Sequence, residues 1–412
     1  PFRLLHKIDE ILLELALALG DDNAALQKHC AQLVDQSRPF THQAFSGPVQ
    51  RLHVKLRLGL DLDEPHGRTE RCFDNRLSIG SVILLPLHKR LHIRRRDHPD
   101  VMPQTAYLTR PEMGASAGFH RNQASDNYVT DSAAGATAFA TGKKTYNGAI
   151  GLDSLKVPSV TLLEMAEQKG LATGLVSTCD ITDATPSSFI AHQLKRSMHE
   201  EIALNFMKTP VDVVIGGGRK YFEKRKDGLN LLDTLRKKGY QVQSTLDVDG
   251  ITKGPLVALY AEENPIKVME GRGDALLKST KKTLEILHQN KKGFFVMIEG
   301  SQIDWGGHAN DTDYIITEMV DFDKSIGYAL DFAAKNKETL VVITADHETG
   351  GFALMGGNMK TGEVKGAFTT KGHTGQMIPV FAFGPGSEAF AGIYNNYDIF
   401  TKIKQALQLG QK

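Results

Sequence analysis

Downstream of position 180, four short runs concentrate acids, histidines and hydroxyls. The first holds Asp183-Ala184-Thr185-Pro186, the second Glu299 and Ser301-Gln302-Ile303-Asp304-Trp305-Gly306-Gly307-His308, the third Asp346-His347-Glu348-Thr349-Gly350-Gly351, and the fourth Lys371-Gly372-His373-Thr374-Gly375. Taken singly, each fits structural or solvated polar residues. Together, Asp304, His308, His373, Asp346 and His347 supply imidazole and carboxylate donors without thiolate, a set that suits zinc in catalytic centres, where one coordination position stays open for substrate. Glu299 and the Thr185 hydroxyl are harder oxygen donors of the kind magnesium prefers. The ligand types allow both metals together without fixing how many ions bind.

A nucleophile candidate lies upstream, in Tyr128-Val129-Thr130-Asp131-Ser132-Ala133-Ala134-Gly135-Ala136-Thr137-Ala138. The alanine-rich stretch predicts a helix that begins at or next to Ser132, and the free N–H groups and dipole of such a terminus favour an anion. The same placement fits a plain N-cap role for Ser132 or Asp131. Serine is a weak nucleophile until a base or a metal activates it. The metal-ligating residues elsewhere in the chain could supply that activation.

These residues must be positioned by the elements around them, and from residue 127 onward the rhythm is regular. Apolar runs at 171–177, 211–215, 294–298 and 340–344 alternate with helical segments at 160–169 and 275–289. Strands this continuously apolar are buried on both faces, so the alternation predicts an α/β fold, a three-layer αβα sandwich with a mostly parallel central sheet. Functional groups in such sheets collect just beyond the carboxyl ends of the strands. The first three polar runs fall there; the fourth has no clear strand before it.

The 412 residues are 41% apolar and 24% charged, which excludes wholesale disorder, and the formal net charge of +1 points to neither nucleic acid nor membrane as a partner. The basic run at 88–96 reads as a solvated face. No segment approaches the roughly 18 apolar residues of a membrane span. The chain opens on Pro1 without a leader pattern, so a signal peptide is expected to be absent or already removed. Cys30, Cys72 and Cys179 have unrelated spacings and predict neither a disulfide framework nor a zinc knuckle. Basic-residue usage changes near position 121: residues 1–121 hold 13 of the 18 arginines and only 4 lysines, whereas the remainder has 5 arginines and 27 lysines. The expected division is an atypical segment, non-native or fused, at 1–121, in which 11–19 reads as a helix and 81–87 as a strand, and a catalytic domain at 122–412.

From about residue 127 to the C-terminus, the runs containing Ser132, Asp183, Glu299, Asp346 and His373 resemble, in order, the motif set of bacterial alkaline phosphatases. By that resemblance Ser132 would form a covalent phosphoserine. Asp304, His308 and His373 would hold one zinc, Asp346 and His347 a second, and Thr185 and Glu299, with Asp183, a magnesium. Arg196 would grip two phosphoryl oxygens as a bidentate fork, a geometry lysine cannot reproduce. Trp305 stands where relatives carry Lys, His or Trp, and would either line the substrate site or pack. The resemblance implies two Zn2+ and one Mg2+, small phosphate monoesters as substrates, a homodimer, and a periplasmic or extracellular location.

One family feature is not visible. The first strand should end in Gly-Asp-Gly, whose aspartate bridges the second zinc and the magnesium. Residues 81–85 look like that strand but run on into Pro86-Leu87-His88-Lys89, and Asp21 and Asp22 lie far upstream. Residues 1–121 are therefore expected to be foreign to the family, with activity reduced. The alternatives are a catalytically impaired metal-binding homologue and a superfamily phosphodiesterase.

Overall fold

The computed structural model describes residues 81–86 and 116–410, all within one compact unit. The helix expected at 11–19, the basic run, Asp21, Asp22, His88, Cys30 and Cys72 lie outside the described residues. Ten strands form the main sheet: β1 (Ser81–Pro86), β2 (Ser116–Arg121), β3 (Ala172–Asp180), β4 (Val213–Gly217), β5 (Gln241–Gln243), β6 (Leu256–Leu259), β7 (Phe294–Glu299), β8 (Thr339–Thr344), and, after four short strands, β13 (Ile378–Phe383) and β14 (Gly392–Asn395). The short ones, β9 (Glu348–Thr349), β10 (Ala353–Asn358), β11 (Glu363–Ala367) and β12 (His373–Thr374), make two small antiparallel ladders, β10 with β11 and β12 with β9.

The order across the main sheet is β14-β2-β13-β8-β1-β7-β3-β4-β6-β5. Ladder pairing gives eight strands one direction, with only β1 and β13 opposed. The sheet is thus mostly parallel, as predicted. The strands β3, β4, β6, β7 and β8 are buried on both faces because alternate side chains feed two different cores. From β7, Phe295 and Met297 join one core with residues of the helices Ser132–Thr141, Leu162–Lys169 and Asn396–Ala406. Phe294, Val296 and Ile298 join the other, against Ala275–Leu287 and Thr312–Asn336. A period of two along a strand, with helices over each face, produces the three-layer α/β sandwich.

Two expectations need correction. The division at 121 does not separate the described fold, because β2 lies before it yet pairs with both β13 and β14, and β1 sits between β7 and β8. The apolar run at 81–86 does fill a central slot, but backwards: Ser81 pairs with Glu299 and Thr344, at the carboxyl ends of β7 and β8, and Pro86 pairs with Thr339. Apolar composition qualifies a segment for a buried slot without specifying direction, since antiparallel and parallel ladders both satisfy the backbone.

Candidate active site

The helix Ser132–Thr141 is capped by Asp131, whose Oδ1 accepts the Ala134 N–H at 2.9 Å. That settles which residue caps, and it frees the hydroxyl of Ser132, in the first helical position, from capping duty. Ser132 Oγ instead lies 2.9 Å from His347 Nε2. Gly135 lets this helix lie directly on the segment after β8, since a Cβ there would sit 2.9 Å from Asp346 Cβ. Arg196 reaches the same place: its Nη2 donates to Asp183 Oδ1 at 2.8 Å and its Nη1 is 3.5 Å from Asp131 Oδ2. Burial opposes the guanidinium charge, but Asp183 and Asp131 outweigh it and raise the Arg196 pKa.

Asp304 and His308 sit four residues apart in the helix Gln302–Ala309, which follows β7, and so share a face. The His373 run, for which no strand was expected, is itself strand β12, paired with β9 so that His373 lies opposite Thr349. Asp304 Oδ1 is 3.5 Å from His308 Nε2 and 3.6 Å from His373 Nε2, and the two Nε2 atoms are 3.1 Å apart. The far nitrogens define the tautomers. His308 Nδ1 meets the Lys371 carbonyl at 2.6 Å and His373 Nδ1 meets the Thr130 carbonyl at 2.8 Å. A carbonyl only accepts, so each Nδ1 carries a hydrogen, and in the neutral ring that leaves Nε2 as the acceptor on the side facing Asp304. Two imidazoles and a carboxylate whose ligand atoms all lie within 4.8 Å of one another could hold a metal ion, and nitrogen and oxygen donors of this kind fit a divalent one.

Asp346 and His347 follow β8, with His347 Nε2 3.2 Å from Asp346 Oδ2. Burial alone would lift the Asp346 carboxyl, but the neighbouring imidazole pulls its pKa down to about 2. Burial likewise disfavours charge on His347, and the Asp346 carboxylate overrides it, raising the pKa to about 9. The His347 ring stacks on His373 at 3.5 Å between centroids. Burial and then the charge of His347 lower the His373 pKa.

The oxygen donors form the inner wall. Glu299, at the end of β7, accepts from Ser301 Oγ at 2.6 Å, with Cys179 Sγ at 3.7 Å and Thr185 beside it. Burial pushes the Glu299 carboxyl up to about 8 despite those bonds. Asp183 caps the short helix Ala184–Ser188, which carries Thr185. Ser132, Asp183, Thr185, Arg196, Glu299, Asp304, Trp305, Asp346 and His347 line one cavity, with His308 and His373 joining it at Asp304. The chain position searched for a bridging aspartate, just beyond residue 85, lies at the other end of β1, where Pro86 pairs with Thr339.

Two contributors were not singled out from the sequence. Glu348 accepts from the Phe352 and Gly351 N–H groups at 2.9 and 3.2 Å and from the Thr374 hydroxyl, pinning the ladder that carries His373. Thr349 donates its hydroxyl to Asp304 Oδ1 and lies 3.2 Å from His347 Nδ1. Their only signal was membership in the run that begins at Asp346.

A family model described as alkaline phosphatase matches residues 91–367. The chain is similar to alkaline phosphatase 4 of Bacillus subtilis (strain 168), at 35% identity over 363 residues, covering 69% of this chain and 78% of the relative. It is similar to the alkaline phosphatase of Escherichia coli (strain K12), at 31% identity over 379 residues, covering 75% and 79%. Among solved structures, a variant of the alkaline phosphatase from the Antarctic bacterium TAB5, with Mg bound, superposes with a TM-score of 0.69 at 43% identity, covering 72% of this chain and 89% of that one.

Proposed function

The chain belongs to the alkaline phosphatase family, and from that premise we propose that it hydrolyses phosphate monoesters in two displacements through a phosphoserine on Ser132. The observation that carries this reading is the Ser132 hydroxyl at a helix N-terminus, released from capping by Asp131 and 2.9 Å from His347 Nε2. Arg196, held by Asp183 and Asp131 at the edge of the same cavity, offers its planar fork to two phosphoryl oxygens. In the first displacement Ser132 Oγ bonds to phosphorus and the alcohol leaves with a proton. In the second a water oxygen bonds to phosphorus, Ser132 recovers its proton and inorganic phosphate departs. The positive end of the helix dipole at Ser132 would favour the anion in both.

Asp304, His308 and His373 would hold one zinc, Asp346 and His347 a second, and Thr185 and Glu299, with Asp183 beside them, a magnesium. When bound, such ions stabilise the attacking and leaving oxygens of an in-line displacement. Trp305 would line the substrate side without adding a cation there. A homodimer exported to the periplasm is the setting proposed for this activity.

The test is acid quenching during turnover of a labelled aryl phosphate. Label is expected on Ser132, with S132A unlabelled and slowed at least about a thousandfold. Wild-type rates in S132A would overturn the route. The reversed β1 favours a second reading, an impaired homologue, which background turnover by fully metal-loaded protein would support.

A further inference from the structure

Thr349 occupies a position between the two imidazole-bearing groups. Its hydroxyl has one hydrogen, and Asp304 Oδ1, an acceptor only, takes it. The hydroxyl oxygen is then left to accept, and His347 Nδ1 lies 3.2 Å away. On the opposite side of the same ring, His347 Nε2 faces Ser132 Oγ at 2.9 Å and Asp346 Oδ2 at 3.2 Å. One buried hydroxyl, on a residue 4% exposed, thus joins Asp304 of one ligand group to His347 of the other. Its backbone is fixed as well, because β9 pairs with β12, which places Thr349 opposite His373, and a Cβ on Gly307 would lie 2.8 Å from Thr349 Cβ.

We propose that Thr349 is a positioning residue that couples the two metal-ligand groups, orienting Asp304 with its hydrogen and holding the hydrogen on His347 Nδ1 with its lone pair. This rests on the metal assignment proposed above. A hydroxyl does both tasks where a serine-like or threonine-like oxygen is present and neither where it is absent, and the dependence runs both ways: disturbing Asp304 loosens the orientation of His347, and the reverse. Outer partners of this kind are worth about ten- to a hundredfold in metal affinity or activity.

The experiment compares the full chain as wild type, T349V, which keeps the shape, and T349S, which keeps the hydroxyl. Three readouts are taken: the rate at which a chelator strips zinc, kcat against KM for an aryl phosphate, and exchange protection of the His347 Nδ1 hydrogen in imidazole NMR spectra of the zinc-loaded protein. T349V is expected to lose both zinc ions about ten- to a hundredfold faster, to lose kcat rather than KM, and to expose that hydrogen to exchange, while T349S stays near wild type. If T349V keeps zinc and protection, or T349S fails as badly as T349V, the methyl packing against Gly307 carries the role and the proposal is overturned. Zinc stripping and hydrogen exchange decide this even in a chain without turnover, so failure of the phosphatase reading would be seen separately.

Discussion

Around Ser132 the two sides of the cavity are built differently. Asp304, His308 and His373 are partly exposed, and their rings are anchored by the main-chain carbonyls of Lys371 and Thr130. Glu299 and Thr185 are buried, and Glu299 is held by Ser301 and Cys179. The imidazole side is preorganised: each Nδ1 is committed to a carbonyl, so both Nε2 atoms already face one spot beside Asp304. The oxygen side is not, because a carboxyl whose pKa has risen to about 8 is protonated at neutral pH and must give up that proton before it can serve a cation. On the metal assignment proposed above, rings fixed by carbonyls would receive an ion without rearrangement, whereas a buried acid would first have to lose its proton.

The sharpest way to break that contrast is to remove one ligand from each side. H373A deletes a lone pair from the preorganised group. Activity is expected to fall by more than about a hundredfold, since even outer partners of ligands are worth ten to a hundred, with zinc content reduced by metal analysis. Full zinc occupancy and turnover in H373A would show that the imidazole group is not a metal site. E299Q keeps the shape of the oxygen side but cannot ionise. A loss of about ten- to a hundredfold is expected, together with loss of stimulation by added magnesium and unchanged zinc content. If E299Q loses zinc as well, the two sides are not separable in the way their anchoring implies.

Much of this contrast could be read before the fold was known, and the unread part has a physical pattern. Asp304 and His308 were legible because their partnership is local, four residues apart on a helix after a buried strand. Asp346 and His347 were legible for the same reason, as neighbours at a strand end. Ser132 was ambiguous, because only the geometry of Asp131 shows which of two adjacent residues caps. His373 had no visible strand because its ladder is two residues long and exists only by pairing with β9. The bonds that matter most join distant positions: His373 to Thr130, Ser132 to His347, Thr349 to Asp304. No local spacing encodes them. The direction of β1 was hidden for another reason, since an apolar run reads the same both ways while its ladder register does not.

The smallest effect is a stability difference in metal-free protein, and its sign follows from three groups. Glu299 rises from 4.5 to about 8 on folding, so its contribution is complete below 4.5 and is lost as pH climbs through 8. His347 rises from 6.5 to about 9, so its contribution is complete below 6.5 and is lost through 9. Asp346 drops from 3.8 to about 2 and contributes uniformly anywhere above 3.8. Between pH 6.5 and 8 both Glu299 and His347 therefore act in the same direction. His120, lowered to about 4 by burial, has already lost its proton in that window, and Lys144, lowered to about 8 by burial, loses its proton toward the top of it, where it opposes the trend in part. Thermal unfolding in chelator is expected to show Tm falling by a few degrees from pH 6.5 to 8. With zinc and magnesium restored, Glu299 and His347 no longer exchange protons over that range and the slope should flatten. A Tm that is level or rising with pH in chelator would mean that the oxygen side is as preorganised as the imidazole side, and the distinction between them would collapse.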